Sequence, residues 1–293
     1  MTATPAPAPV GRVAELGPGI AAAVSFALAD VFSKVAFNDG MDVLSLSTFR
    51  GAFSVIFMIG WLWLSPPPVP YTPRQRWIAL GVGVLFAGIV FGLFKAIQLI
   101  DVPIAILTYF IYPLFTGIVG AWMGIDKLGW RGAAAAIVAF LGLALIVGAH
   151  PGAIALAGLA FAFGAACLRT AVLLISRAAL GGTDSRLLTW YSLVSSLAIF
   201  LVFSVATWNW HPPHTGYGWF ALLVVSVTVT IAVLTLFISV NRIGPFRSAL
   251  VMNLEPLLAT AISAPLLGEY MTAWQVLGGA IMLAALVAFQ LRR

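Results

Sequence analysis

Long apolar runs, interrupted at short intervals by proline, glycine or a charge, dominate the chain. Cutting at those interruptions leaves ten segments: 17–38, 43–64, 75–99, 102–122, 129–148, 152–178, 186–207, 217–241, 246–267 and 273–291. A helix needs about 20 residues to cross the hydrocarbon core of a bilayer. Runs such as ALGVGVLFAGIVFGLF do not alternate apolar and polar positions, as strands of a membrane barrel would. The pattern predicts an all-α integral membrane protein with ten transmembrane helices.

Composition agrees. Hydrophobic residues make up 62% of the 293 and charged residues 8%, against about 25% charged in a soluble domain. Mean hydropathy is +1.07. The segment MTATPAPAPVG is Pro/Ala-rich, so residues 1–16 are expected to form a disordered tail. The run ending SFALAD mimics a signal-peptide cleavage site. However, the preceding region holds one Arg12 against one Glu15, and cleavage would leave an odd nine spans.

The net charge of +6 would suit a nucleic-acid binder, but its placement argues for topology. Arg12, Arg74, Arg76, Lys127, Arg131, Arg177, Arg186, Arg242, Arg247, Arg292 and Arg293 all fall on one side of the predicted membrane. The loops NDGMD, IDVP, GAHPG, WNWHPPHTG and GEYMT, on the other side, hold no Lys or Arg. By the positive-inside rule both termini lie in the cytoplasm. A multi-pass protein of the cytoplasmic membrane, with the lipid bilayer rather than nucleic acid as its partner, follows. All ten tryptophans sit near predicted span ends, as an interfacial belt does.

The chain also repeats. LFKAIQLIDVPIAILTYFIYPLFTG, starting at Leu93, aligns without gaps to LFISVNRIGPFRSALVMNLEPLLAT, starting at Leu236, an offset of 143 residues. Pro113 meets Pro256, and further on Asp126 meets Glu269. With five spans in each half, the second half enters the membrane upside down. Inverted repeats are a transporter architecture, with the site between the halves at the midplane. The expected units are 17–148 and 152–291.

Here the chain resembles the drug/metabolite transporter superfamily, EamA type. The residues that carry the likeness are TFR (48–50), SK (33–34), YPLFTGIVGAWMGIDKL (112–128) and LEPLLATAISAPLLGEYMTAWQVLGGAIMLAALV (254–287). In the last run Pro256, Gly268-Glu269, Gln275 and Gly278 follow the pattern of a second repeat. The first repeat departs from it, with GIDK in place of a Gly-Glu pair. The resemblance implies a secondary transporter of small molecules in two inverted five-helix halves. Within the superfamily the chain is most similar to bacterial exporters of aromatic amino acids.

Charges at depth are the first candidates for a site, because a centred charge costs about 2.5–3.5 kcal/mol on insertion scales and usually faces a cavity or a partner. One group lies toward the external side: Asp30 and Lys34, four apart on one face of the first span, with Arg50 and Lys95. These suit a vestibule for a zwitterion, or structural ion pairs with the lysines reaching the interface. The other group is Arg169 and Glu255, near the middle of their spans. Arg169 offers a fork for a substrate carboxylate, as Lys95 offers a point charge. Glu255 suits an ammonium group or a proton. The two residues could equally pair and brace the bundle. Asn253 adds a polar group beside Glu255.

Tyr109 and Tyr112 sit mid-span and suit the apolar body of a substrate or an interhelical hydrogen bond. Pro113 and Pro256 each remove a backbone donor and are expected at kinks or hinges. The glycines of GVGVLFAGIVFG predict close helix packing.

His211 and His214 in HPPH lack Cys or acidic neighbours, so no metal site is expected, and no cofactor motif appears. The favoured function is alternating-access export of small amphipathic metabolites, foremost aromatic or hydrophobic amino acids, by a monomer or weak homodimer. The rivals are export of other cargo such as multidrug cations or nucleosides, a membrane-integral enzyme built on Glu255, Arg169 and Asp30, and an assembly scaffold.

Overall fold

The computed structural model describes residues 12–122, 130, 134, 137–138, 141–145, 154–180, 182–208 and 210–291. Among them the secondary structure is helical throughout. The helices are α1 (Arg12–Asn38), α2 (Val43–Leu64), α3 (Pro73–Leu99), α4 (Val102–Tyr109), α5 (Tyr112–Trp122), α6 (Leu156–Leu180), α7 (Ser185–Thr207), α8 (Gly216–Met252), α9 (Leu254–Leu267) and α10 (Ala273–Leu291). Most of the fifth predicted span, 129–148, lies outside the described residues, as do Asp126 and residues 1–11. The helix α1 starts at Arg12, so the stretch 12–16, assigned from sequence to a tail, is helical.

Local chemistry explains the ends. Asp42 caps α2 by accepting from the Leu44 and Ser45 N–H groups. Thr72 and Gln75 form a reciprocal capping box at α3, with Pro73 at its first position, where a missing N–H costs nothing. Asp184 caps α7 through the Arg186 N–H. The helix α9 closes on Gly268, whose φ of +72° is one that glycine adopts without penalty.

Among the described residues seven helical stretches are long and apolar enough to cross a membrane. One of these crossings, Val102–Val119, is a broken one. Shorter apolar helices run over Leu254–Leu267 and Ala273–Ala285. The sequence predicts unbroken helix over 102–122 and 246–267. Instead, helix is interrupted at Phe110–Ile111 and again at Asn253. Phe110 and Asn253 are separated by the same 143 residues as the aligned repeats. Each stands three residues before its proline, Pro113 or Pro256. A proline deletes one helical donor and its ring crowds the preceding turn, so the helix gives way one turn ahead of it.

The sequence also predicts a break between 241 and 246. Helical hydrogen bonding runs through that stretch to Met252, so the break expected there is not a gap in helix. The chain nevertheless reverses. The hydroxyls of Ser239 and Ser248 share a hydrogen bond of 2.7 Å, whereas nine residues of straight helix span roughly 13.5 Å. Ser239 and Val251 also stand together beside Gly19, within 3.0 and 3.2 Å of where a Cβ would be. The segment holding Gly244 and Pro245 is therefore a helical turn-back, and α8 is two antiparallel limbs.

Packing is reciprocal between the halves. The most extensive interface joins α1 to α8, and α3 packs on α6 in the corresponding way. Similarly α3 lies on α7 and α2 on α8, while α2 meets α7 and α4 meets α9. Glycines permit close approaches between these helices. A Cβ on Gly83 would stand 2.6 Å from the Ser192 carbonyl oxygen, and one on Gly92 would stand 3.0 Å from that of Phe161. This is the close packing expected of the glycine-rich run. The core these contacts enclose includes Phe86, Phe94, Phe110, Tyr109 and Tyr112. Trp63, Trp77, Trp122, Trp208, Trp219 and Trp274 are exposed at or near helix ends, where an interfacial belt belongs.

Candidate functional site

A small cavity lies where the helices of the two halves meet. Its walls are Phe26, Ala29 and Asp30 from α1, Arg50 from α2, Phe86, Ile89, Val90, Leu93 and Phe94 from α3, and Tyr109 from α4. The second half contributes Arg169 from α6, Val229 from α8 and Glu255 from α9. Water-sized molecules find about 40 Å³ there, room for a few waters. The four charged side chains are all buried, at 2–3% exposure, far too deep to be a solvated face.

The site has an acidic end and a basic end. Asp30 and Glu255, from opposite halves, both line the cavity and are both buried. The second oxygen of Asp30, Oδ2, has no partner.

On the basic side, Arg50 places its Cζ 5.2 Å from the Phe94 ring centroid. Arg169 places its Cζ 5.7 Å from the rings of both Phe26 and Tyr112. Aromatic faces attract a guanidinium and partly replace lost water. The Nε atoms of both arginines lack hydrogen-bond partners, leaving donors aimed at no protein group. Arg169 thus lies over the Tyr112 ring and shares the cavity wall with Glu255. Tyr109 and Tyr112 pack on each other with ring centroids 5.4 Å apart.

The structure thus brings together Tyr109, Arg169 and Glu255 in the cavity wall, with Tyr112 against Arg169. Asn253 is buried at the helix break, two residues from Glu255. Pro113 and Pro256 follow the two breaks. Lys95 bonds to Gln98 Oε1 at 2.8 Å and is absent from the cavity wall.

Asp30 and Arg50, which sequence reasoning assigned to a separate external group, belong to the same cavity as Arg169 and Glu255. The signal was available for Asp30: it lies two turns inside the end of α1 at Asn38, roughly 12 Å along the helix. Nothing in the sequence gives the inward direction of Arg50.

Lys34 does act at the end of the bundle. Its ammonium donates to the carbonyls of Ile97 (2.7 Å) and Ile100 (3.1 Å) at the end of α3, where cations complement the helix dipole. It also faces Glu269 Oε1 at 3.9 Å. Glu269 in turn accepts from the Val102 N–H at the start of α4, where anions are favoured. Burial pushes the Glu269 carboxyl above its ordinary value, against the opposing pull of the Val102 N–H and Lys34.

The HPPH loop is tied to the α1–α2 turn. Asp39 accepts from the His214 and Thr215 N–H groups and from the Thr215 hydroxyl, and the His211 N–H donates to Ser45 Oγ. Among the described residues no three His, Cys, Asp or Glu side chains cluster to hold a metal.

A multi-pass bundle, helical in its described residues, with a charged cavity shared by two similar halves is the build of a membrane carrier. The chain belongs to the EamA-like transporter family, whose model matches residues 17–148 and again 156–289. It is therefore a membrane transporter of the drug/metabolite type. One crystal structure shares the fold with a TM-score of 0.67 at 17% identity, over 92% of this chain and 95% of the other. No curated protein matches the sequence.

Proposed function

We propose that the protein exports small amphipathic zwitterions, foremost aromatic or other hydrophobic amino acids, across the cytoplasmic membrane by alternating access. The observation that carries this reading is the cavity: unpartnered guanidinium donors, a carboxyl pair and an aromatic wall converge in it, all buried. Arg169 and Arg50 suit a carboxylate, Glu255 with Asp30 suits an ammonium group, and Tyr109, Tyr112 and Phe94 suit the apolar body. In this reading both termini face the cytoplasm and the second half is inverted. The paired breaks ahead of Pro113 and Pro256 act as hinges. The small volume corresponds to a closed state, so cargo enters only after the halves separate toward one side.

Counterflow of labelled phenylalanine in liposomes holding the purified protein tests this. Saturable exchange is expected, weakened by Arg169→Gln. Absence of exchange for phenylalanine and every other amino acid tried would remove the reading.

A further inference from the structure

The two halves are clasped together at both ends of the bundle by loops that the repeat relates. We propose that these two clasps decide to which side the cavity opens. Releasing one opens the cavity at that end and leaves the other end shut. The inference rests on the alternating-access reading above and names the contacts that control it.

The first clasp joins the loop before α3 to the turn before α7. The Tyr71 hydroxyl hydrogen-bonds with Thr183 Oγ1 at 2.8 Å and with the Asp184 carbonyl at 3.2 Å. Its ring stacks on Tyr191 with centroids 5.8 Å apart, and the residue is buried. Arg186, ion-paired to Asp184 at 2.8 Å, also donates to the Ser65 carbonyl at 2.9 Å. Apart from the Asp184–Arg186 pair, each of these contacts crosses between the halves.

The second clasp joins the loop before α8 to the turn before α2. Asp39 accepts from the His214 N–H at 2.8 Å, the Thr215 N–H at 3.0 Å and the Thr215 hydroxyl at 2.8 Å. The His211 N–H donates to Ser45 Oγ at 2.9 Å. The fit is tight. A Cβ on Gly218 would collide with the Asp39 carboxylate, and one on Gly40 with the His214 ring.

The clasps are one device built twice. The turns match at a spacing of 142 residues. Gly40 and Gly182 both have positive φ, +97° and +79°, and Asp42 and Asp184 cap the helices that follow. The loops match at 143 residues, Pro70 with Pro213 and Thr72 with Thr215. Each threonine accepts from the N–H three residues on. In both clasps the loop of one half grips the turn of the other.

Their placement suits gates. They stand at opposite ends of α2, a helix of 22 residues and roughly 33 Å. Arg50 of the cavity wall lies on α2 between them. With both engaged the cavity offers about 40 Å³. Rigid separation of the halves at one end must break the clasp there, while the other remains as the pivot.

The experiment is side-selective labelling of the full chain by a membrane-impermeant maleimide, without cargo, in right-side-out and inside-out membrane vesicles. The reporter is Val229→Cys in the cavity wall, on a Cys167→Ser background. Val69→Cys and Tyr217→Cys, at exposed positions beside the two clasps, tell the faces apart. Relative to the reporter alone, Tyr71→Phe and Arg186→Gln should raise labelling about fivefold from the Tyr71 face only, the shift expected for one lost hydrogen bond. Gly218→Ala and Asp39→Ala should raise it from the Asp39 face only. Two variants at each clasp cover the failure of one to fold.

Labelling unchanged at either clasp, raised equally from both faces, or raised from the opposite face overturns the proposal. Phenylalanine counterflow is measured on the same variants. Counterflow with unaltered labelling removes the clasps and leaves the transport reading standing. Face-specific labelling without counterflow of any amino acid removes the transport reading and leaves the clasps.

Discussion

Lys34 and Glu269 stand 3.9 Å apart and join the first helix of one half to the loop that closes α9 in the other. Between them they hold the α3–α4 corner, one on its carbonyls and one on its N–H. Hydrogen bonds to charged groups contribute about 1.5–3 kcal/mol each when buried, less when partly exposed as here. Lys34→Met and Glu269→Gln should each lower thermal stability in detergent by roughly 1–2 kcal/mol. The double variant should lose less than the sum, because the two share a corner. Full additivity would show that no such junction exists.

Gly83 should tolerate nothing larger. A Cβ there would meet the Ser192 carbonyl oxygen at 2.6 Å, and a backbone oxygen cannot swing away. Gly83→Ala is expected to cost about 1–3 kcal/mol through forced separation of α3 from α7. Gly81→Ala, where nothing lies within 4 Å of the new Cβ, should be neutral or slightly stabilising. Melting curves of the two variants provide the comparison.

Asp39 gives a pH test outside the membrane. Hydrogen bonds from the Thr215 backbone and hydroxyl hold its carboxyl below the ordinary 3.8. The folded form therefore binds its proton less readily than an unfolded chain. That contribution is complete above pH 3.8 and fades as the pH falls through the lowered value. Amide exchange at His214 and Thr215 should accelerate over that acid range. Asp39→Asn should show fast exchange at every pH.

The arginines differ in what they can replace. If Arg50 and Arg169 both receive the carboxylate of the cargo, Arg50→Gln should weaken phenylalanine counterflow about as strongly as Arg169→Gln, by at least tenfold. Lys95→Gln, at a residue that is not in the cavity wall, should leave it within about twofold. An Arg50 variant with wild-type counterflow would confine the carboxylate to Arg169.

Much of this was legible in the sequence because the bilayer imposes simple rules. Length and hydropathy located the helices among the described residues, and the aligned prolines located the two breaks to within a turn. The breaks themselves were not legible as such: proline reports where a donor is missing, not where the helix yields. The turn-back between Ser239 and Ser248 falls where the sequence predicts a break, between 241 and 246, although helical hydrogen bonding continues through it. For the site, burial depth identified Arg169 and Glu255. Depth also marks Asp30, but it says nothing of rotation, so the sequence does not show that Arg50 and Asp30 face the cavity of Arg169 and Glu255. Their place depends on which face of α1 and α2 meets α8 and α9, and only packing supplies that.

The reciprocal packing of α1 on α8 and of α3 on α6 bears on how the molecule is made. During synthesis α1 emerges about 200 residues ahead of the helix it is shaped to meet, and such distant pairings form late. Until then its carboxyl-bearing residue, Asp30, has no Glu255 or Arg169 to complete the cavity wall around it. Each half is thus a unit of sequence without being a unit of folding. Neither half made alone would complete its own interior, and a cell that tolerates the unfinished chain must shelter that charge until the second half arrives.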